Sequence, residues 1–307
     1  MRLKLILTAM ALCVTGNAAF AQQPTDTLDK IRSSGVITIG HRESSIPFSY
    51  YDKNEKVVGF GMDLCTIVAD AVKAHLGLAR LEVRLVPITP SLRIPSILSG
   101  KIDLACETMT NNIERQKVVA FSSTFFVAAN RFVSKAAANL KTLDDLKGRT
   151  VVSTIGSTNL KQISELNAQH NLGLTIVAAK DNFEAFRMLE SDRAAAHFMD
   201  DILLYGTVAN SAAPADYAIS DEALSVEPYG ILLPRDDAAF KKVADDALAA
   251  IYRSGEINKI YAKWFLNPIP PNGVSLNVPM SAALKRAIEH PTDSGDPEAY
   301  SMRHAAH

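Results

Sequence analysis

Eight consecutive residues, Thr108 to Arg115, read as a carboxylate grip. Two threonine hydroxyls, Thr108 and Thr110, precede a helix start whose first turn carries Glu114 and Arg115. Free backbone N–H groups at a helix start favour an anion, and an adjacent guanidinium can hold a carboxylate through two parallel hydrogen bonds. A plainly capped helix with a surface salt bridge has the same sequence, so this segment alone leaves both readings open. A second stretch, Ser153 to Asn159, sits between strand and helix patterns and offers the hydroxyls of Thr154, Ser157 and Thr158. These could turn toward a carboxylate, or simply cap a βα loop. Arg42 follows the first strand pattern at its carboxyl end, where open α/β sheets bind ligands, and Arg93 lies in the loop and helix after the second. Taken singly, each arginine reads as a solvated surface side chain.

Composition narrows the chemistry. Formal charge is -1, and loss of Arg2 and Lys4 with a cleaved leader takes it to about −3. The two signs are interspersed, and no basic stripe offers itself to phosphates, so nucleic acid is not an expected partner. No P-loop or HExxH is present, and Gly59-Phe60-Gly61 lacks the third glycine of a dinucleotide loop. His41, His75, His170, His197 and His290 have no metal-ligand spacing, and His304 and His307 read as a solvated end. Neither a metal nor a cofactor is expected. Cys65 and Cys106 have no CxxC spacing; they could pair in an oxidising compartment or stay as buried thiols, since geometry decides and spacing does not. Phe48, Tyr50 and Phe60 could wall a cleft, but core is the default reading for aromatics, and Trp264 in a C-terminal amphipathic helix reads as core.

The elements that must position these residues form a regular pattern. From Leu28, β-branched runs alternate with helical periodicity, the signature of parallel sheets wrapped by helices. Strands are expected at Val36 to Gly40, Leu81 to Val86 and Ile102 to Cys106, with helices at Gly61 to Leu76 and Ser91 to Leu98. A second set has strands near Arg131 to Val133, Thr150 to Ser153, Thr175 to Ala178 and Ala195 to Met199, and helices starting near Thr142, Thr158, Asn182 and Asp201. Tyr229 to Leu233 then returns as a strand, followed by helices Asp236 to Tyr252 and Ser254 to Phe265. The expected architecture is an α/β chain that leaves one lobe, residues 28–128, builds a second, 129–226, and comes back through 227–290. Crossings near Thr124 to Asn130 and Ser225 to Gly230 would form a two-strand hinge.

The ends differ from this body. Residues 1–21 show the basic start, the apolar run Leu5 to Val14 and the Ala19-Phe20-Ala21 ending of a secretory signal, too short to span a bilayer. The mature chain is expected to be soluble and secreted. At the other end, Pro268, Pro270, Pro271, Pro279, Pro291 and Pro297 preclude one regular helix, although Ser281 to Glu289 fits a short one, and 291–307 reads as a flexible tail.

Several stretches together resemble the family 3 periplasmic solute-binding proteins of amino-acid ABC transporters, and within them the glutamate/aspartate-binding proteins. They are Val36 to Asp52, Thr110 to Arg115, Ala179-Lys180-Asp181, Met188 to Ser191, Phe198 to Asp201 and Lys263 to Pro271. The resemblance runs from about Leu28 to Pro291 and implies the type II periplasmic binding protein fold, with two α/β lobes closing on ligand. It implies Arg115, helped by Thr110, as the α-carboxylate clamp, Asp200 and Thr108 at the ammonium end, and Arg42 and Arg93 on an anionic side group. A zwitterion leaving water needs both charges compensated, so this division is physically sensible. Asp201 becomes the helix cap if Asp200 faces the cleft. Two positions depart from the pattern: Pro90 replaces a serine, and Asn182 replaces a histidine beside the expected side-chain pocket. Both bear on the choice among aspartate, glutamate and an uncharged relative.

The implied function is capture of an acidic amino acid in the periplasm by a monomer that delivers it to an inner-membrane ABC permease. The competing class is a cyclohexadienyl dehydratase-like enzyme, which would need a general acid in the cleft, Glu43 or Glu107 being nearest in sequence.

Overall fold

The computed structural model describes residues 26–301; the leader expected over 1–21 lies outside them. The β-branched run Val36–His41 becomes the inner strand of a five-stranded sheet, parallel to Glu82–Pro87 on one side and to Leu104–Ala105 on the other. Leu232–Leu233 and Ala120–Phe121 complete the sheet antiparallel. A second sheet has the order Thr175–Ala179, Thr150–Thr154, Ala196–Asp200, Asn130–Lys135, Tyr217–Ile219. Its first three strands are parallel and its last two antiparallel. The two α/β units are as expected, but both sheets are mixed. Parallel pairing needs a crossover helix, and the strands that carry the chain between units arrive without one.

Between the sheets the chain crosses twice, at Phe126–Ala128 and Glu227–Tyr229, which pair antiparallel with Val127 opposite Pro228. An aromatic cluster packs around the first crossing: Phe48 meets Phe60, Phe126, Tyr229 and Phe265 edge-on. Phe48, Tyr50 and Phe60 are thus core, and so is Trp264, whose ring nitrogen donates to Asp63 at 2.7 Å. Helix Phe60–His75 lies against this core and carries Cys65, which is bonded to Cys106 with the two Cα atoms 5.6 Å apart. That resolves the open pairing in favour of a disulfide. The helix expected near Thr142 is only a 3-10 turn, Asp144–Leu146, where two aspartates in three residues favour a local turn over propagation. Among the described residues no helix is long and apolar enough to cross a membrane.

The flexible tail expected over 291–307 needs correction for its described part. Residues 291–301 form a strap: Thr124 N donates to Thr292 O at 2.8 Å, Asn111 Nδ2 to Asp293 O at 2.8 Å, and the Tyr300 hydroxyl meets Thr124 Oγ1 at 2.7 Å. Tyr300 is buried. Prolines forbid a regular helix here, but they do not forbid docking when side chains and carbonyls find partners on the body.

Candidate functional site

The carboxyl ends of both parallel strand sets face each other across one small cavity. One side is lined by Arg42, Pro90, Arg93, Thr108, Thr110 and Arg115. From the other come Thr154, Ser157, Thr158, Asn182 and Asp200. All ten residues expected at a site therefore meet here, although Arg42 and Asp200 stand far apart in the chain. The sequence reading had not singled out Asn159, Met199 and Leu203, which share the lining. An amide and an apolar side chain inside helical patterns, and a methionine inside a strand, carried no signal of their own.

The arginines are held by acceptors that spacing could not supply. Glu107, fully buried, takes Arg42 Nη1 at 3.3 Å and Arg93 Nη1 at 3.1 Å. Arg93 also donates from Nε to Pro90 O at 2.9 Å and from Nη1 to Thr108 O at 2.9 Å. The two forks and one carboxylate leave a net positive wall. Loss of water lowers the pKa of Arg42, Glu107 opposes this, and the like charge of Arg93 adds to it. Arg115 donates from Nη1 to Thr110 O at 2.8 Å, and its pKa is lowered first by loss of water and then by Arg93. Its short helix, Ile113–Gln116, is capped by Asn112, which accepts from Arg115 N at 2.8 Å. Four residues cannot hold a helix alone, so the cap and the strap fix it from outside.

On the opposite side, Asp200 is buried, accepts from Asn159 Nδ2 at 2.7 Å and receives the Tyr229 hydroxyl in a short bond. Burial first, and Glu227 second, push its carboxyl up to about 7. The expectation that Asp201 caps the following helix needs correction: the N-cap position of helix Asp201–Ala209 is Asp200, whose side chain makes no cap bond and stays with the cavity, while Asp201, the first helical residue, accepts from Ile202 N at 2.7 Å. Thr154 Oγ1 donates to Asn182 Oδ1 at 2.8 Å. With its oxygen so engaged, the amide nitrogen is the end of Asn182 left to meet an acceptor. Ser157 is the helix cap, accepting from Leu160 N at 3.1 Å, and Thr158 Oγ1 donates to Glu227 Oε2 at 2.8 Å. Glu107 and Glu43, the candidate general acids of the enzymatic reading, are not among the lining residues. Both Glu107 oxygens are taken up by guanidinium groups.

Direct contacts join the two sides. Arg93 Nη2 and Arg115 Nη2 both donate to the Gly156 carbonyl, at 3.1 Å and 3.2 Å, and the Thr110 and Thr158 hydroxyls lie 3.4 Å apart.

A family model of bacterial extracellular solute-binding proteins, family 3, matches residues 37–267. The L-glutamate/L-aspartate-binding protein of Pseudomonas aeruginosa is 46% identical over 94% of this chain and 96% of its own. The glutamate/aspartate import solute-binding protein of Escherichia coli is 44% identical over 87% of this chain and 88% of its own. Among solved structures, an ancestral arginine-binding protein bound to arginine superposes with a TM-score of 0.67 at 31% identity, covering 75% of this chain and 98% of that one.

Proposed function

We infer that this chain, which belongs to the bacterial extracellular solute-binding proteins, family 3, is the glutamate/aspartate-binding component of an ABC import system. Its activity is binding, not turnover. The observation that carries the reading is a cavity with a positive wall made by Arg42, Arg93 and Glu107, a third guanidinium at Arg115, and a buried carboxylate at Asp200.

In this reading the α-carboxylate docks on Arg115 and Thr110, and the ammonium on Asp200. The side-chain carboxylate takes the donors of Arg42 and Arg93 that Glu107 leaves over. Thr108 contributes near the ammonium. Thr154, Ser157, Thr158 and the Asn182 amide close from the second sheet; the amide supplies a donor where Pro90 offers no hydroxyl. The paired crossings at Phe126–Ala128 and Glu227–Tyr229 act as the hinge, and closure is favoured only insofar as the ligand touches both sides. Periplasmic binding proteins are a standing example of such closure. Removal of a leader at 1–21, a periplasmic location, action as a monomer and delivery to an inner-membrane permease complete the proposal.

Isothermal titration of the purified protein with L-glutamate, L-aspartate, L-glutamine and L-arginine tests it. Both acids should bind at least about tenfold tighter than glutamine, because the neutral amide leaves a buried cation unpaired. Tighter binding of glutamine or arginine would overturn the acidic assignment.

A further inference from the structure

Gly156 occupies the exposed tip of the loop after strand Thr150–Thr154, with φ of 79°, in the left-handed region. Its backbone lies directly against the opposite side of the cavity. A Cβ at this position would fall 2.8 Å from Ser91 Cα, 2.9 Å from Ser91 N and 3.0 Å from the Pro90 carbonyl carbon. These neighbours are backbone atoms, which cannot swing aside as the end of a flexible side chain can. The same residue's carbonyl accepts from both Arg93 and Arg115. One residue without a side chain therefore sets the approach of the two units and ties down two of the three guanidinium groups.

We propose that Gly156 is the closure latch of the binding site. It is a positioning residue: its missing side chain allows the final approach onto Pro90 and Ser91, and its carbonyl aligns the Arg93 and Arg115 forks once that approach is made. This rests on the glutamate/aspartate reading above and adds a residue outside the ligand's own contacts. The remaining N–H groups of the two guanidinium ions stay available to ligand carboxylates, since each fork has five donors. A methyl group at 156 opposes closure equally whichever ligand is inside. A residue of the side-chain pocket would instead change the preference between ligands.

The experiment compares the parent with Gly156→Ala, Gly156→Asn and Gly148→Ala by titration with L-glutamate and L-aspartate, and by small-angle X-ray scattering with and without L-glutamate. Gly148 has φ of 72° and open space where a Cβ would stand, so its alanine variant carries the backbone penalty without the contact. Asparagine tolerates the left-handed region and still brings a Cβ. Both Gly156 variants should lose about tenfold or more in affinity for both acids, with the ratio between the acids unchanged and the ligand-induced compaction reduced. Gly148→Ala should bind and compact as the parent does. Parent-like affinity and compaction in Gly156→Asn would overturn the latch, and so would a changed ratio between the two acids. If the parent itself binds neither acid, the functional reading fails, and the latch proposal falls with it.

Discussion

At the scale of single residues, the site works by sharing charges that would be costly alone. Glu107 holds two buried guanidinium groups while leaving them a net positive charge, and hydrogen bonds from Asn159 and Tyr229 partly offset the cost of burying the Asp200 carboxylate. Removing one partner of a buried charged contact costs about 2 to 5 kcal/mol of binding. Arg115→Ala and Asp200→Ala should each weaken glutamate by that amount in titration calorimetry, while melting curves stay cooperative. The raised Asp200 carboxyl adds a pH dependence whose sign follows from the form that binds. An ammonium prefers the carboxylate and pulls its pKa down, so the complex holds fewer protons than the ligand-free protein. Affinity should therefore fall as pH drops below about 7, and binding there should release a proton. The loss approaches about tenfold per pH unit until the complex itself takes up the proton. Titrations in two buffers of different ionisation enthalpy measure that release directly, and in Asp200→Asn it should disappear.

At the scale of elements, the strand ends and helix starts were legible, and their fastenings were not. The alternation of β-branched runs with amphipathic helices placed Arg42 and Thr154 at strand ends and Arg93 at a helix start because those periods are local properties of the chain. Asn112 as the cap that orients Arg115 was equally local, lying three residues away. The disulfide was not, since Cys65 and Cys106 are 41 residues apart and no spacing rule brings a helix to a strand end. It fastens helix Phe60–His75 beneath the segment that begins at Glu107. Closing a loop of that length should contribute about 4 kcal/mol by restricting the unfolded chain. A double Cys65→Ala, Cys106→Ala variant should melt at a lower temperature by calorimetry, and its glutamate affinity should change far less than in Arg115→Ala.

At the scale of the whole molecule, the strap over residues 291–301 reaches both the first crossing and the helix that carries Arg115. Its carbonyls take the Thr124 backbone beside the first crossing and the Asn111 and Gln116 side chains that flank the Arg115 helix. Lys241 adds an ion pair to Asp293 at 3.0 Å. Deleting residues 291–307 should leave a folded protein with a lower melting temperature, since each lost hydrogen bond contributes about 1 kcal/mol. Glutamate should also bind more weakly, because the short helix carrying Arg115 loses its outer support. Differential scanning calorimetry with and without glutamate separates the two effects: a truncated protein whose ligand-induced gain in melting temperature equals the parent's would remove the strap from the site.

What the sequence by itself determined is the kind of chain and the side chains that could do chemistry: two α/β units, three arginines and an aspartate at strand ends and helix starts, and motifs specific enough to identify the family. Torsional preference and the burial period are written within a few residues, so these features survive in one dimension. Only the tertiary structure decided that Arg42 and Arg93 share Glu107, that Asp200 at the helix start turns to Tyr229 and leaves the cap bond unmade, that Cys65 meets Cys106, and that Gly156 lies against Ser91. Each of those joins segments whose separation exists only after the chain has packed, and a hydrogen bond or a steric limit depends on distances of a few ångströms that no local pattern records.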